Sequence, residues 1–102
     1  MNLLFLTCAN KDEAEKIKKV LHEKKLVVCA KMCSVSSSFL WNGKVDNANE
    51  VMLIMDSRED LFEQVETEIR KVHSYDTFVL LSVPVTRSSK GIREWIDEEL
   101  KD

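Results

Sequence analysis

The chain contains few of the residues that break regular structure: its 102 residues include two glycines and one proline. It has no internal repeat and no low-complexity stretch that would act as a linker between domains. A chain of this length with 44% apolar residues is large enough to bury one core. We therefore expect a single domain over residues 1–102.

An excess of basic charge is also absent. The 15 Lys and Arg residues are dispersed among 18 Asp and Glu residues, and the net charge is −3, which disfavours a nucleic-acid partner. No apolar run approaches the length of a membrane span, and the run at residues 3–6 is too short for the core of a signal peptide. We expect a cytoplasmic protein that binds neither nucleic acid nor a membrane.

Cysteine is scarce and odd in number, with one residue each at Cys8, Cys29 and Cys33. This pattern suits reduced thiols better than a disulfide framework. On an extended strand, Cys29 and Cys33 would lie about 13 Å apart, too far to form a disulfide or to share a metal ion. We expect all of these cysteines to be small buried apolar residues.

What the sequence does contain is a long hairpin over residues 27–57. Asn42-Gly43 is the strongest short-range hairpin signal, since both residues tolerate the positive φ of a type I′ turn. A turn there places Trp41 opposite Lys44 and Cys29 opposite Asp56. Arms of about 14 residues span roughly 45 Å, against about 24 Å for a 16-residue helix. The hairpin therefore extends beyond the body of its own domain.

Both faces of the predicted hairpin are apolar. One face suits a covering layer of helices and contains Val28, Ala30, Met32, Val51, Leu53 and Met55. The other is too apolar to face water and contains Cys29, Lys31, Cys33, Val35, Phe39, Trp41, Glu50, Met52 and Ile54. A two-stranded ribbon is marginally stable alone, so we expect copies of the chain to cover it in a homo-oligomer closed about an axis.

The remaining segments complete an alternating order of strands and helices. Asn10 and Glu13 resemble a capping box that begins a first helix, and Ser57 with Asp60 begins a second that ends near His73. The other predicted elements are strands at residues 2–8 and 78–83 and a final helix capped by Ser88 or Ser89, with Ile92, Trp95, Ile96 and Leu100 facing inward. The order predicts an α+β, ferredoxin-like βαββαβ sandwich with an extended β2-β3 hairpin and a C-terminal helix.

The sequence lacks the residues that enzymatic and RNA-binding proteins of this fold require. An acylphosphatase-like phosphate cradle needs glycine and arginine in the first strand-to-helix loop, but residues 7–11 contain neither, and the first arginine is Arg58. An RNA-recognition sheet needs several aromatic residues, and the first strand offers only Phe5. Neither His22 nor His73 is tied to a cysteine by a motif. We predict no catalytic residues and no enzymatic activity.

A metal site is the remaining chemical interpretation. His73, Tyr75 and Asp76 cluster where the second helix meets the last strand, at the same end of the sheet as the hairpin turn. A His and carboxylate cluster suits a divalent cation such as copper or zinc. The alternative is that His73 caps its helix and Asp76 caps the turn.

Several stretches together resemble one known family. These stretches are Thr7, LVVCA at residues 26–30, WNGK at 41–44, EVMLIM at 50–55, HSYD at 73–76 and EWI at 94–96. In this order, and spanning nearly the whole chain, they resemble the divalent-cation tolerance protein CutA family.

The resemblance implies a ferredoxin-like subunit that forms a tight homotrimer, with hairpins that extend sheets between subunits. It also implies a role in tolerance of divalent metals, copper especially, and no enzymatic reaction comes with it. Together with the cluster at His73, we therefore expect a non-enzymatic protein that binds copper or zinc weakly, with His73 as a ligand. The family resembles PII-like signalling trimers as well. The alternative function is therefore a sensor that binds a small anion or nucleotide in an intersubunit groove at Trp41, Lys44, Glu50 and Tyr75.

The chain departs from the family pattern at a few positions. Ser74 and Thr77 replace the usual prolines near His73, and Asp56-Ser57 replaces the usual Lys-Thr. We expect Ser57 to keep the role of a helix cap. Loss of the prolines is expected to loosen the loop after His73.

Overall fold

The computed structural model describes residues 1–100 as an antiparallel sheet covered on one face by helices. The elements are β1 Asn2–Cys8, α1 Lys11–Glu23, β2 Cys29–Trp41, β3 Lys44–Ser57, a 3-10 turn Glu59–Leu61, α2 Phe62–Val72, β4 Leu80–Pro84 and α3 Ile92–Glu99. The strand order is β2-β3-β1-β4, with antiparallel pairing throughout. This confirms the predicted α+β, βαββαβ fold with a long β2-β3 hairpin and a C-terminal helix.

The hairpin has the predicted turn and register. Asn42 and Gly43 adopt φ values of 51° and 78°, the left-handed conformation that a two-residue I′ turn requires. Pairing runs without a slip from Trp41 opposite Lys44 to Cys29 opposite Asp56. The molecule is accordingly elongated, with dimensions of 45 × 27 × 21 Å.

The core lies between the helices and one face of the sheet. Its fully buried side chains come from alternate positions of β1 and β3 and from one stripe of each helix, and include Leu4, Leu6, Ile17, Leu21, Leu53, Met55, Val65, Ile69 and Ile96. The alternation of strand side chains thus assigns one sheet face to the helices. No helix within residues 1–100 is long and apolar enough to cross a membrane.

The opposite sheet face, which we call the open face, is not covered by any helix of the described chain. It contains Leu3, Phe5 and Thr7 of β1 and the residues paired with them on both sides. At its margins, Trp41 is 63% exposed and Leu81 is 55% exposed. The outer half of the hairpin, residues 36–49, is largely exposed, and no helix within residues 1–100 covers it.

Ser57 does not cap a helix, so that prediction was wrong. It is the last residue of β3, its side chain is fully buried, and its hydroxyl donates a hydrogen bond to the Leu26 carbonyl oxygen at 2.7 Å. Strand pairing with Asn2 points this side chain inward. The 3-10 turn that leads into α2 begins after Arg58 instead.

The predicted ends of the last two elements also need correction. β4 covers Leu80–Pro84 and not residues 78–83. α3 begins after Gly91, which has a φ of 93°, and neither Ser88 nor Ser89 caps it. Ile96 and Leu100 take the buried positions of the final segment, while Trp95 is 45% exposed and does not face inward as expected.

The cysteines differ in burial, which corrects the expectation that all are buried. Cys8 is fully buried on the helix side of β1, Cys29 is half-buried, and Cys33 is exposed. Cys33 lies on the open face beside Met52. Its exposure follows from the lack of a layer over that face.

The contribution of the buried Ser57 hydroxyl to stability can be tested by mutation. Ser57→Ala should lower the free energy of unfolding by about 1–3 kcal/mol, because the mutation leaves the Leu26 carbonyl without its buried donor. Denaturant unfolding at fixed protein concentration measures the change. Ser89→Ala, in the exposed loop before α3, is the matched control and should leave stability unchanged. Equal stability of both variants would contradict the assignment.

Candidate functional site

A surface cavity of about 640 Å³ lies on the open face between the hairpin and the segment before β4. We call it the groove. Its lining includes Phe39, Trp41, Asp46, Glu50, Tyr75 and Asp76. A second depression of about 650 Å³ lies between the end of α1 and α2 and contains none of the predicted site residues.

The groove brings together most of the residues predicted as a ligand site. Trp41, Glu50 and Tyr75 all line it, although they lie on β2, β3 and the segment before β4. Lys44 pairs with Trp41 across the turn but is not part of the lining. His73 is not part of the lining either, and its ring centroid is 5.0 Å from that of Tyr75.

A hydrogen bond between Tyr75 and Glu50 joins two sides of the groove. The Tyr75 hydroxyl donates to Glu50 Oε2 at 2.8 Å, and Glu50 is 8% exposed. Within residues 1–100, the other carboxylate oxygen, Oε1, accepts no hydrogen bond. Burial, the hydrogen bond to Glu50 and the Glu50 charge raise the pKa of Tyr75 to about 12, so at neutral pH its hydroxyl remains a donor.

Glu13, which the sequence predicts only as part of a capping box, also contacts the segment that follows α2. Asn10 Oδ1 accepts a hydrogen bond from the Glu13 backbone N–H as predicted. The Glu13 side chain instead accepts from Ser74, from the hydroxyl at 2.7 Å and from the backbone N–H at 3.1 Å. A proline at position 74 has no N–H to donate, so the serine anchors the loop that we expected to be loosened.

His73 is fully enclosed, and both of its ring nitrogens are engaged. Nε2 lies 2.9 Å from the Thr7 carbonyl oxygen, which only accepts hydrogen bonds, so Nε2 carries a proton. Nδ1 lies 2.9 Å from Glu13 Oε1 and 3.0 Å from the Tyr75 backbone nitrogen. A neutral ring accepts from the Tyr75 amide, and a protonated ring donates to Glu13. The ring also stacks on Phe78, with centroids 4.8 Å apart.

The described residues of one chain contain no preformed cluster of metal ligands. No group of three or more His, Cys, Asp or Glu side chains within residues 1–100 is arranged to hold a metal ion. His73 occupies the C-cap position of α2, as the alternative interpretation predicted, and its backbone N–H donates to the Ile69 carbonyl oxygen. Within residues 1–100, Asp76 accepts a hydrogen bond from Arg70 through its backbone carbonyl alone, and its carboxylate does not cap the turn.

Cys8 lies near Glu13 and Glu50, and its thiol is unreactive at neutral pH. Its burial, together with the charges of Glu13 and Glu50, raises the pKa of the Cys8 thiol to about 12. A thiol is a weak nucleophile compared with a thiolate. At neutral pH Cys8 therefore acts as a small buried apolar side chain, in agreement with its predicted role.

The Tyr75 hydroxyl can be titrated directly because Tyr75 is the only tyrosine. Absorbance at the phenolate wavelength should show a midpoint near the raised pKa of about 12. The raised pKa stabilises the fold fully below the ordinary pKa of 10.0, and this stabilisation disappears as the pH rises toward about 12. Glu50→Gln should move the midpoint downward without restoring the ordinary value, because burial remains. Glu63→Gln on α2 should not change it, and an unshifted midpoint in Glu50→Gln would contradict the contact.

Comparison with known proteins agrees with the fold and extends over nearly the whole chain. The family model for the CutA1 divalent ion tolerance protein matches residues 2–99. The divalent-cation tolerance protein CutA of Archaeoglobus fulgidus is 36% identical over 100 residues, which covers 98% of each chain. The protein of the same name from Pyrococcus horikoshii is 30% identical over 101 residues, which covers 99% of each chain.

Solved structures show the same architecture. The periplasmic divalent cation tolerance protein CutA from Archaeoglobus fulgidus superimposes with a TM-score of 0.95 over 98% of each chain, at 36% identity. CutA1 from Pyrococcus horikoshii superimposes with a TM-score of 0.93 over the full length of both chains, at 28% identity. With a family model that matches almost every residue and relatives that align end to end, the chain belongs to the CutA1 divalent ion tolerance protein family.

Proposed function

We propose that the chain acts as a non-enzymatic homotrimer in divalent-cation tolerance and binds copper or zinc weakly. Its relatives are named as divalent-cation tolerance proteins, which supports the general role. The trimer rests on one observation, the uncovered apolar surface of the outer hairpin. The proposal assigns no catalytic residue.

The outer hairpin is apolar on both sides. On the groove side Phe39 is 40% exposed, and on the other side the cross-strand pair Leu40 and Val45 is 74% and 65% exposed. A two-stranded ribbon needs further packing to be stable in water, and exposed apolar patches of this kind mark protein contacts. Neighbouring copies are the partners that we propose.

The sheet also offers free edges for such an assembly. β2 and β4 are the outer strands, so each presents unpaired backbone groups along one side. On β4, Leu81 and Val83 are exposed on the open face. A contact between unlike surfaces of identical chains forms a ring when the rotation closes. A threefold ring would cover the outer end of the hairpin and the exposed side chains of β4.

We propose that one chain binds a cation weakly because the atoms that could coordinate it already make contacts within the chain. His73 Nδ1 and Glu13 Oε1 are adjacent, but an ion at Nδ1 must replace the contact with the Tyr75 amide. Structural metal sites hold their ion with about four converging ligands. His73 is therefore proposed as a ligand of modest affinity.

The alternative of a PII-like sensor for a small anion or nucleotide has less support. The groove is lined by Asp46, Glu50 and Asp76 and, among the described residues, by no lysine or arginine.

Cytoplasmic location also stays a prediction based on sequence alone, since the Archaeoglobus relative is described as periplasmic.

The trimer predicts a specific response to truncation of the outer hairpin. Trp41→Ala should weaken assembly, because buried tryptophans often contribute about 2 kcal/mol or more to an interface. Light scattering at micromolar concentration should give three chain masses for the native protein and a smaller average mass for the variant. Trp95→Ala, the same truncation on α3, should keep the native mass. A native protein that stays monomeric and folded would overturn the trimer.

Metal binding can be tested with the two histidines as a matched pair. Calorimetric titration with Cu²⁺ or Zn²⁺ should show weak binding that His73→Asn reduces and that His22→Asn, on the exposed side of α1, leaves unchanged. The same titration with ATP examines the sensor alternative. Binding that is equal in both variants would remove His73 from the proposal, and tight ATP binding lost in Lys44→Ala would favour the sensor.

A further inference from the structure

The groove has the size of a site for a small organic molecule. Its volume of about 640 Å³ falls within the range of roughly 300–1,000 Å³ that is common for ligand pockets. Phe39 and Trp41 form one wall on the hairpin, and Tyr75 stands on the opposite side. A single bare ion would leave most of this space unfilled.

The groove is acidic as well as aromatic. Asp46, Glu50 and Asp76 contribute carboxylates to its lining, and no lysine or arginine of the described chain lines it. A cleft lined by one sign of charge concentrates ligands of the opposite sign. An anionic ligand would face these carboxylates without a compensating base.

Glu50 provides a fixed carboxylate that can accept a further hydrogen bond. It is more than nine-tenths buried, and its Oε2 is held by the Tyr75 hydroxyl. Within residues 1–100, Oε1 has no hydrogen-bond donor. No buried side-chain oxygen or nitrogen within the described residues lacks a partner, so Oε1 is accessible from the groove. A cationic N–H group there forms a strong charge-assisted bond with a carboxylate oxygen.

We propose that the groove binds a small organic cation of the primary alkylammonium class, with the ammonium on Glu50 Oε1 and the alkyl chain against Phe39 and Trp41. Thr7 and Ser37 also line the groove, and side-chain hydroxyls of this kind can accept the remaining N–H bonds. Aromatic faces attract a desolvated cation in addition to packing on its chain.

An organic cation fits this arrangement better than a metal ion does. A divalent metal requires several oxygen or nitrogen ligands that converge on one point, and no such group occurs within the described residues. An ammonium group needs one fixed carboxylate, neighbouring hydroxyls and an apolar wall. The inference rests on the residues of a single chain and goes beyond the proposed trimer and its metal binding.

Three probe molecules of similar length distinguish the effect of ligand charge on binding from the effect of ligand shape. They are n-butylammonium, the neutral 1-butanol and the anion butyrate. Binding is followed by the two tryptophan indole N–H signals in NMR spectra, because Trp41 lines the groove and Trp95 lies on α3. The variants Trp41→Phe and Trp95→Phe assign the two signals.

We expect n-butylammonium to shift the Trp41 signal in a saturable manner and to leave the Trp95 signal in place. 1-Butanol and butyrate should bind about tenfold more weakly or worse, since neither forms a charge-assisted bond with a carboxylate. No saturable shift with n-butylammonium, or equal binding of the three probes, would overturn the proposal.

Variants of the carboxylates test the assigned contact. Glu50→Gln keeps an acceptor for Tyr75 and removes the charge, so n-butylammonium should bind about tenfold more weakly or worse. Asp46→Asn should have a smaller effect in the same direction and supplies a second variant. Glu63→Gln on α2 should leave binding unchanged, and an unaltered affinity in Glu50→Gln would overturn the proposal.

Light scattering on the same samples keeps this proposal separate from the proposed function. A trimer whose Trp41 signal does not respond to n-butylammonium overturns only the ligand class. A monomer that binds n-butylammonium overturns only the trimer.

Discussion

A two-stranded ribbon that is apolar on both faces is marginally stable alone in water, and this constraint governs the molecule. The hairpin of β2 and β3 is longer than the helices can cover, so only its inner half is sheltered by the core. The inner half buries Val51, Leu53 and Met55, whereas Leu40 and Val45 at the outer end are exposed. The fold therefore combines a well-buried core with an outer hairpin whose apolar side chains remain exposed.

A buried polar cluster positions the groove relative to that core. Glu13 at the start of α1 holds Ser74, and His73 contacts both Glu13 and the Thr7 carbonyl at the end of β1. These contacts fix the segment that presents Tyr75, whose hydroxyl then holds Glu50 on β3. A histidine that the sequence suggested as a ligand thus has a structural role in the single chain. Both of its ring nitrogens are engaged by groups of the described chain.

The hairpin, the sheet order and the helix-covered face were predictable because each depends on local signals. Asn42-Gly43 fixed the register, and alternation of apolar residues assigned the core face. Ser57 was misassigned because a serine before an acidic residue looks the same whether its side chain points to a helix or into the core. The partners of Glu13 lie 61 residues away, and spacing along the chain carries no signal for such a contact.

The residues that form the ribbon and those that line the groove overlap, and this overlap has a thermodynamic consequence. Phe39 and Trp41 belong to the uncovered outer hairpin and also to the wall of the groove. Any neighbouring chain that packs on these rings changes the surface that a ligand meets, and any ligand changes the surface that the neighbour meets. Linkage requires the two effects to be equal in free energy. Under the two proposals, occupation of the groove and assembly of the chain would be coupled through Trp41, with a sign set by whether ligand and neighbour share its ring or compete for it.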